Sequence, residues 1–417
     1  MQTEAEAFLQ RIRAYPDDDA QRLIFADWLD EEGDPRGRFV RVQLALAALP
    51  AADPARQTLA VAERDLLAVH RDAWEAPLRG LATGCVFRRG FVDEVKVTAR
   101  QFLRHAHEIF AAAPLRHIHL LDVSDSLPAA LQCPYLGRLA ALTVHAQHTG
   151  EPLARAVARS EHLAGLKRLA LTRNRFADDA AEHLARSPHL AGLEDLDLSE
   201  NEIGETGARA LAASPHLGKL RRLDVRDNRL GPAGAEAVAG SDRLTALHRL
   251  GLSGNDVGLP RLLSLGRAHD LLRVPVLDLS ANGLTAAGLQ AILTRAPGGD
   301  PTAVRLTDLD LSHNETMGDA GARVLAACPH VANLIALRLA NCGIGDDGAR
   351  ALANSPHLDR VAELNLENNS INDDGFRAFL DTKHWRALRK LAPPRASISA
   401  EMRRALDRKF NRPPRRG

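Results

Sequence analysis

Apolar and polar positions follow one pattern that this chain keeps repeating, stated most cleanly by residues 193–219, LEDLDLSENEIGETGARALAASPHLGK. Leu196 and Leu198 lie two apart, a spacing that puts both side chains on one face of a strand and sends Asp195, Asp197 and Ser199 to the other. Asn201 ends the strand. Its amide donates and accepts at once, so it can bond the backbone groups left over where the chain turns. Glu205-Thr206 then opens a helix, with acid near the positive end of the helix dipole. Asp178-Asp179, Asp346-Asp347 and Asp373-Asp374 occupy the same place in other copies. Ala208 and Leu211 are predicted to face the core, and Ser214-Pro215-His216-Leu217 returns the chain to the next strand.

The asparagine slot alone reads Asn174, Asn201, Asn228, Asn255, Asn282, Asn314, Cys342 and Asn369. All intervals are 27 or 28 residues except one of 32, which contains Gly298-Gly299-Asp300-Pro301 and is expected to be a loop insertion. Such a period predicts an α/β fold, a leucine-rich-repeat solenoid, whose units run to ~20–29 residues. Parallel strands sit ~4.8 Å apart and helices roughly 8–10 Å, so strands inside and helices outside predict a horseshoe. Its concave parallel sheet would keep one face in water because polar residues separate the leucines.

Ahead of the repeats the spacing predicts three helices. The first carries Ala7, Phe8 and Ile12; the second follows Asp17-Asp18-Asp19 and carries Leu23, Ile24, Trp28 and Leu29; the third follows Asp34-Pro35 and carries Phe39, Val40, Val42, Leu44 and Leu46. A fourth helix is predicted over 54–74. Degenerate repeat strands follow at Val92, Val95 and Val97, then at Ile118, Leu120 and Val123, then at Leu142 and Val144, with Gln147 in the asparagine slot. Atypical end units suit a solenoid that must hide its core from water. The expected organisation is a helical domain over 1–50, a helical linker and cap over 51–91, a solenoid over 92–387 that is regular from 166, and a capping helix with a basic tail over 388–417.

Composition changes this picture little. At 45% apolar and 26% charged, the chain has the make-up of a soluble protein. No stretch suggests a membrane span, and the N-terminus lacks a basic start followed by an apolar run, so a cytoplasmic location is expected. Cys85, Cys133, Cys328 and Cys342 form no C-x-x-C pair and read as reduced thiols. The net charge of +1 is uneven, with +9 from Arg386 onward and −8 in the remainder. That tail has no nucleic-acid motif and reads as a solvated face.

Candidate chemistry is sparse. No nucleophile elbow, phosphate-binding loop, dinucleotide fingerprint or H-E-x-x-H occurs, so no enzyme, cofactor or catalytic residue is expected. His162, His189, His216, His330 and His357 recur in one turn and are expected to meet helix C-terminal carbonyls. His117 and His119 share a strand face, with His145 on the next strand. Three imidazoles could bind zinc. His145 stands one position out of register, however, and no carboxylate is fixed behind the rings to orient them, so no metal site is assigned.

What remains is the concave face. Its slots hold Asp195, Asp197, Asp224, Asp278, Asp308, Asp310, Glu363 and Glu367 with Arg168, Arg222, Arg226, Arg249 and Arg338, and Asn365 joins them. Between 139 and 360 the only aromatic is Phe176, in an inward slot. The lack of aromatic anchors disfavours a very tight inhibitor mode and stacking on nucleic acid or sugar.

Two resemblances add to this reading. Arg22 to Asp34, standing as R-L-x-x-A-D-W-L-x-E-x-G-D, resembles a repeat-companion domain that some bacteria place before repeats, although Arg38 stands where a Glu is usual. Residues 166–387 resemble the ribonuclease-inhibitor-like subfamily of leucine-rich repeats, which includes Ran GTPase-activating protein. The expectation is a bacterial, monomeric, non-catalytic scaffold that binds a protein partner through the polar concave face. A GTPase regulator, implied by the second resemblance, and a purely structural spacer are the alternatives.

Overall fold

The computed structural model describes residues 2–50, 53–121, 126–144, 149–257, 268–294, 304–394 and 397–411. Val123, His145, Gln147, Asp300-Pro301 and the last six residues of the basic tail lie outside them. The chain divides into two compact units, one of Met1–Gln147 with Ser160–Ala170, the other of His148–Arg159 with Leu171–Gly417.

In the first unit, α1 (Gln2–Ala14), α2 (Asp19–Glu31), α3 (Arg36–Ala48) and α4 (Ala55–Glu75) precede the sheet. Asp18 caps α2 by accepting from the Ala20 N–H at 2.9 Å. The buried face of α2 is Phe25, Ala26 and Leu29, whereas Leu23 and Ile24, expected on the apolar face, are exposed. Phe25 explains the rotation: it stacks between Phe8 and Phe91, at 5.2 and 5.8 Å. The sequence pattern also misses a strand. β1 (Thr83–Arg88) pairs antiparallel with β2 (Phe91–Thr98), burying Cys85 and Phe87. Its turn needs Gly90, at φ +91°, where a Cβ would lie 2.2 Å from Val40 Cγ2. Buried Gln43 of α3 fastens this hairpin, accepting from the Gly90 N–H at 2.6 Å and donating to the Phe87 carbonyl at 3.1 Å. From β2 the sheet continues in parallel through β3 (His117–Leu121), β4 (Ala141–Val144) and β5 (Arg168–Ala170). After β2 comes α5 (Ala99–Ala112), capped by Thr98 and Gln101 together.

In the second unit the repeat is regular. Parallel strands β6 (Asp195–Asp197), β7 (Arg222–Asp224), β8 (Arg249–Gly251), β9 (Val276–Asp278), β10 (Asp308–Asp310), β11 (Ala336–Arg338), β12 (Glu363–Asn365) and β13 (Lys390–Ala392) pair in chain order. The central leucines, Leu196 through Leu391, share one register and are buried. After the short α6 (Leu127–Ala130) of the first unit, α7 (Glu151–Arg159), α8 (Asp178–Ala185), α9 (Glu205–Ala212), α10 (Gly231–Ala239), α11 (Ala286–Leu293), α12 (Gly318–Ala327), α13 (Asp346–Ala353) and α14 (Asp373–Asp381) alternate with strands along the chain, and α15 (Ala400–Phe410) ends the second unit on Met402, Leu406 and Phe410. Phe176, Ala208 and Leu211 are buried as expected.

The asparagines form the ladder that the period predicts. Asn228 Nδ2 donates to the carbonyls of Leu198, Val225 and Arg226 at 2.9–3.1 Å, and its Oδ1 accepts from the Ile203 N–H at 3.0 Å. Asn201, Asn255, Asn282, Asn314 and Asn369 repeat the scheme. At Cys342 the thiol meets the Leu311 carbonyl at 3.1 Å, and burial pushes its pKa up to about 12. All four cysteines are unbridged.

Two further devices tie repeats together. Asp178, at the start of α8, accepts from the N–H groups of Gly204 and Gly207 at 2.7 and 2.9 Å, so it caps α9 of the following repeat. The carbonyls at helix ends go to serine and not, as expected, to the turn histidines: Ser187 Oγ donates to Ala158, Ser214 to Ala185 and Ser355 to Ala326. A serine hydroxyl is short enough to reach a carbonyl one repeat back from inside the turn, whereas the neighbouring histidines stay half-buried.

Candidate functional site

The water-facing side of the second unit's sheet is built from two rows of alternate residues. Register places Asp195, Arg222, Arg249, Val276, Asp308, Ala336, Glu363 and Lys390 side by side in a first row. Asp197, Asp224, Gly251, Asp278, Asp310, Arg338, Asn365 and Ala392 make the second. Neighbours within a row are separated by the ~4.8 Å between strands.

The two rows do different work. In the second, Asp197, Asp278 and Asp310 each accept, through Oδ1, from the N–H two residues on, that of Ser199, Ser280 or Ser312, at 2.9 Å. Asn365 does the same for Glu367 at 2.8 Å, and Asp224 for Arg226 at 3.3 Å. These side chains close the turn that carries the chain off the strand, just before residues with positive φ such as Glu200, Asp227 and Ala281. Five of the predicted partner-binding residues therefore serve the backbone first. The signal was available in sequence as the D-x-S spacing of Asp197-Ser199, Asp278-Ser280 and Asp310-Ser312.

Asp224 lies down over its neighbour. It is 5% exposed, against Gly251, where a Cβ would come within 2.8 Å of Oδ1. Burial, with Asp197 alongside, pushes its carboxyl above the usual range, against the pull of Arg226 and Arg222. Those guanidinium groups flank it at 3.5 and 3.3 Å, and Arg222 also reaches Asp195 at 3.8 Å.

First-row side chains stand farther into water. Arg222, Arg249 and Glu363 are exposed, Asp195 and Asp308 half-buried, and Lys390 pairs with Glu363 at 3.3 Å. Arg226 is exposed, and Arg338 and Glu367 are half-buried at the edges of this surface. Arg222 and Arg249 are register partners, so two arginines meet at the middle of the row.

The remaining predicted residue, exposed Arg168, belongs to β5 of the first unit. There the water-facing positions form a different cluster. Glu94 of β2 is the register partner of His117, and His119 lies on the same face of β3. His119 Nε2 is 2.8 Å from Glu94 Oε1, His117 Nδ1 is 3.3 Å from Glu94 Oε2, and His117 Nε2 is 2.9 Å from Thr143 Oγ1. Burial, reinforced by His119, lowers the His117 pKa to about 4, so the ring is neutral near pH 7. The hydrogen bond from His119 holds Glu94 below the usual range despite the opposing effect of burial. Glu94 is thus a carboxylate held against both histidines, which the spacing of the strands in sequence does not bring together. Its alternation with Val95 in FVDEVKV was the signal, and only the β2–β3 register reveals the meeting.

The repeat family agrees with this geometry. A family model described as leucine-rich repeat matches residues 192–212, 216–239, 306–326 and 332–353. The chain contains leucine-rich repeats. Among solved structures it is similar to an internalin from Listeria monocytogenes, at 17% identity and TM-score 0.33, over 68% of this chain and 92% of that one. It is also similar to the yeast Rad7 and Elc1 complex, at 16% identity and TM-score 0.42, over 88% of this chain and 83% of that one. No curated protein matches the sequence. Among the described residues, no helix of this leucine-rich-repeat chain is long and apolar enough to cross a membrane.

Proposed function

We propose that the chain is a non-catalytic, cytoplasmic interaction protein whose leucine-rich repeats bind a protein partner through the water-facing side of the second unit's sheet. One observation carries this reading. Charged first-row side chains project at fixed strand spacing from a rigid backbone, while most second-row carboxylates are occupied by turn N–H groups. A row of ordered charges is pre-organised to meet a complementary surface and to steer its approach. Arg222 and Arg249, adjacent at the centre, are the residues on which binding rests most. The absence of aromatics on this face fits a moderate affinity.

The N-terminal helices, with their Arg22–Asp34 motif, are read as a companion domain that closes the array, and the repeats as ribonuclease-inhibitor-like. The test is capture of partners from an extract of the native organism, using wild type and an Arg222→Ser/Arg249→Ser variant as paired baits. A protein retained by the first and lost by the second supports the reading. Equal retention by both, or capture of nothing by either, removes it. A captured GTPase whose hydrolysis is accelerated by this chain would favour the regulatory alternative.

A further inference from the structure

We propose that Glu94, His117 and His119 form a binding site for a divalent transition metal of the zinc class. Their ligand atoms all lie within 4.8 Å of one another. A tetrahedral zinc site, with bonds of ~2.0–2.2 Å, needs its ligand atoms ~3.3 Å apart. Small rotations about the side chains reach that spacing from the 2.8 and 3.3 Å already present between Glu94 and the two histidines.

The backbone holds all three. Both strands are hydrogen-bonded in register, and the two imidazole rings lie against each other, tilted by 32°, with centroids 4.2 Å apart. Thr143 Oγ1, on β4, meets the ring nitrogen of His117 that points away from Glu94. That hydroxyl can accept the hydrogen bond from Nε2–H and so leave Nδ1 with its lone pair, a contact that orients metal-bound histidines. Two imidazoles and one carboxylate suit zinc, cobalt, nickel or copper better than magnesium or calcium, which prefer all-oxygen shells. With side chains 15–22% exposed, the cluster is recessed yet reachable, and three protein ligands leave one position open to solvent.

The charges around it oppose a cation and set the expected affinity. Arg88 Nη2 is 3.3 Å from Glu94 Oε2, and Arg168 lies in the same water-facing row two strands from His117. Lys96 is the register partner of His119. Arg88 is 59% exposed and can swing away, so it competes with the metal for Glu94 without blocking the site.

Zinc titration of the full-length, untagged, chelator-stripped protein tests the proposal, read by calorimetry and by the visible spectrum of a cobalt-substituted sample. Wild type is expected to bind one zinc per chain with a tetrahedral cobalt spectrum. Glu94→Gln and His119→Asn should each weaken binding at least ~10-fold, and Thr143→Val by ~10-fold through the lost orienting contact. Arg88→Ser should tighten binding, an outcome that misfolding cannot imitate. His216→Asn, in a repeat turn, should change nothing. Failure of wild type to bind zinc, or equal binding by a Glu94→Gln/His117→Asn/His119→Asn variant, overturns the proposal and leaves a hydrogen-bonded His-Glu-Thr network.

Discussion

The two units apply one repeat rule with different strictness. In the second, strands are three residues long, every described asparagine slot bonds neighbouring backbone, and second-row aspartates turn inward to close their own turns. In the first, β2 and β3 run to eight and five residues, and water-facing polar side chains bond one another across strands. Regularity thus directs the second-row polar groups to the backbone and leaves first-row charges to pair at the surface, whereas in the first unit the half-buried polar groups turn to one another. A repeat slot has to satisfy the same backbone groups each time, whereas a degenerate slot is released from that duty.

The largest perturbation separates the units by removing the elements unique to the first. Deleting residues 1–90 takes away α1 to α4 and β1, leaving the edge of β2 unpaired and Phe91 without the apolar cluster of Ile12, Phe25, Leu29 and Val40. Aggregation or loss of the cooperative melting transition is expected. A deletion that stays monomeric with unchanged melting would show that the helices and hairpin do not protect the array.

Next in size is the ladder. Asn228→Ala removes one of the donors to each of three carbonyls and takes from the Ile203 N–H its acceptor, at an expected cost of about 1–3 kcal/mol. His119→Ala in the first unit removes a contact at a water-facing surface and should cost well under half as much. Denaturant melts of both variants compare the units directly, and equal losses would erase the contrast. Asp178→Ala, which uncaps the next repeat's helix, should cost about 1 kcal/mol by the same measurement.

The smaller effects raise stability. Because Asp224 has a folded pKa above its unfolded value, the folded state holds this proton more tightly. Its carboxyl therefore weakens stability as pH rises from below ~4 through the folded pKa. Asp224→Asn should melt higher than wild type at neutral pH, and the gap should close in acid. A gap that widens in acid would contradict the burial argument. Cys342→Asn should add a few tenths of a kcal/mol by supplying an amide donor to the Leu311 carbonyl and an amide acceptor for the Asn314 N–H, roles that a thiol fills weakly.

Much of the fold was legible in the sequence, since the leucine period and the asparagine slot are local and recur. β1 was not, because TGCVFR alternates over too few residues and Gly84 resembles a loop signal. The exposed Leu23 and Ile24 escaped because the ring stack around Phe25 is tertiary. The candidate surface was legible as a set of slots but not as a division of labour. Whether Asp197 faces a partner or its own turn depends on a side-chain rotation that spacing does not encode.

The proposed binding role has first-row charges held for a partner while the scaffold stands without them. It is tested most directly by titrating the captured partner, at low and high salt, against Arg222→Ser/Arg249→Ser and against Arg209→Ser on α9, whose arginine pairs with Glu205 along the helix. Both variants should melt within about 0.5 kcal/mol of wild type. Binding should be unchanged for Arg209→Ser, and at least ~10-fold weaker and less salt-dependent for the double variant. Equal affinity and equal salt dependence for both variants and wild type would contradict it.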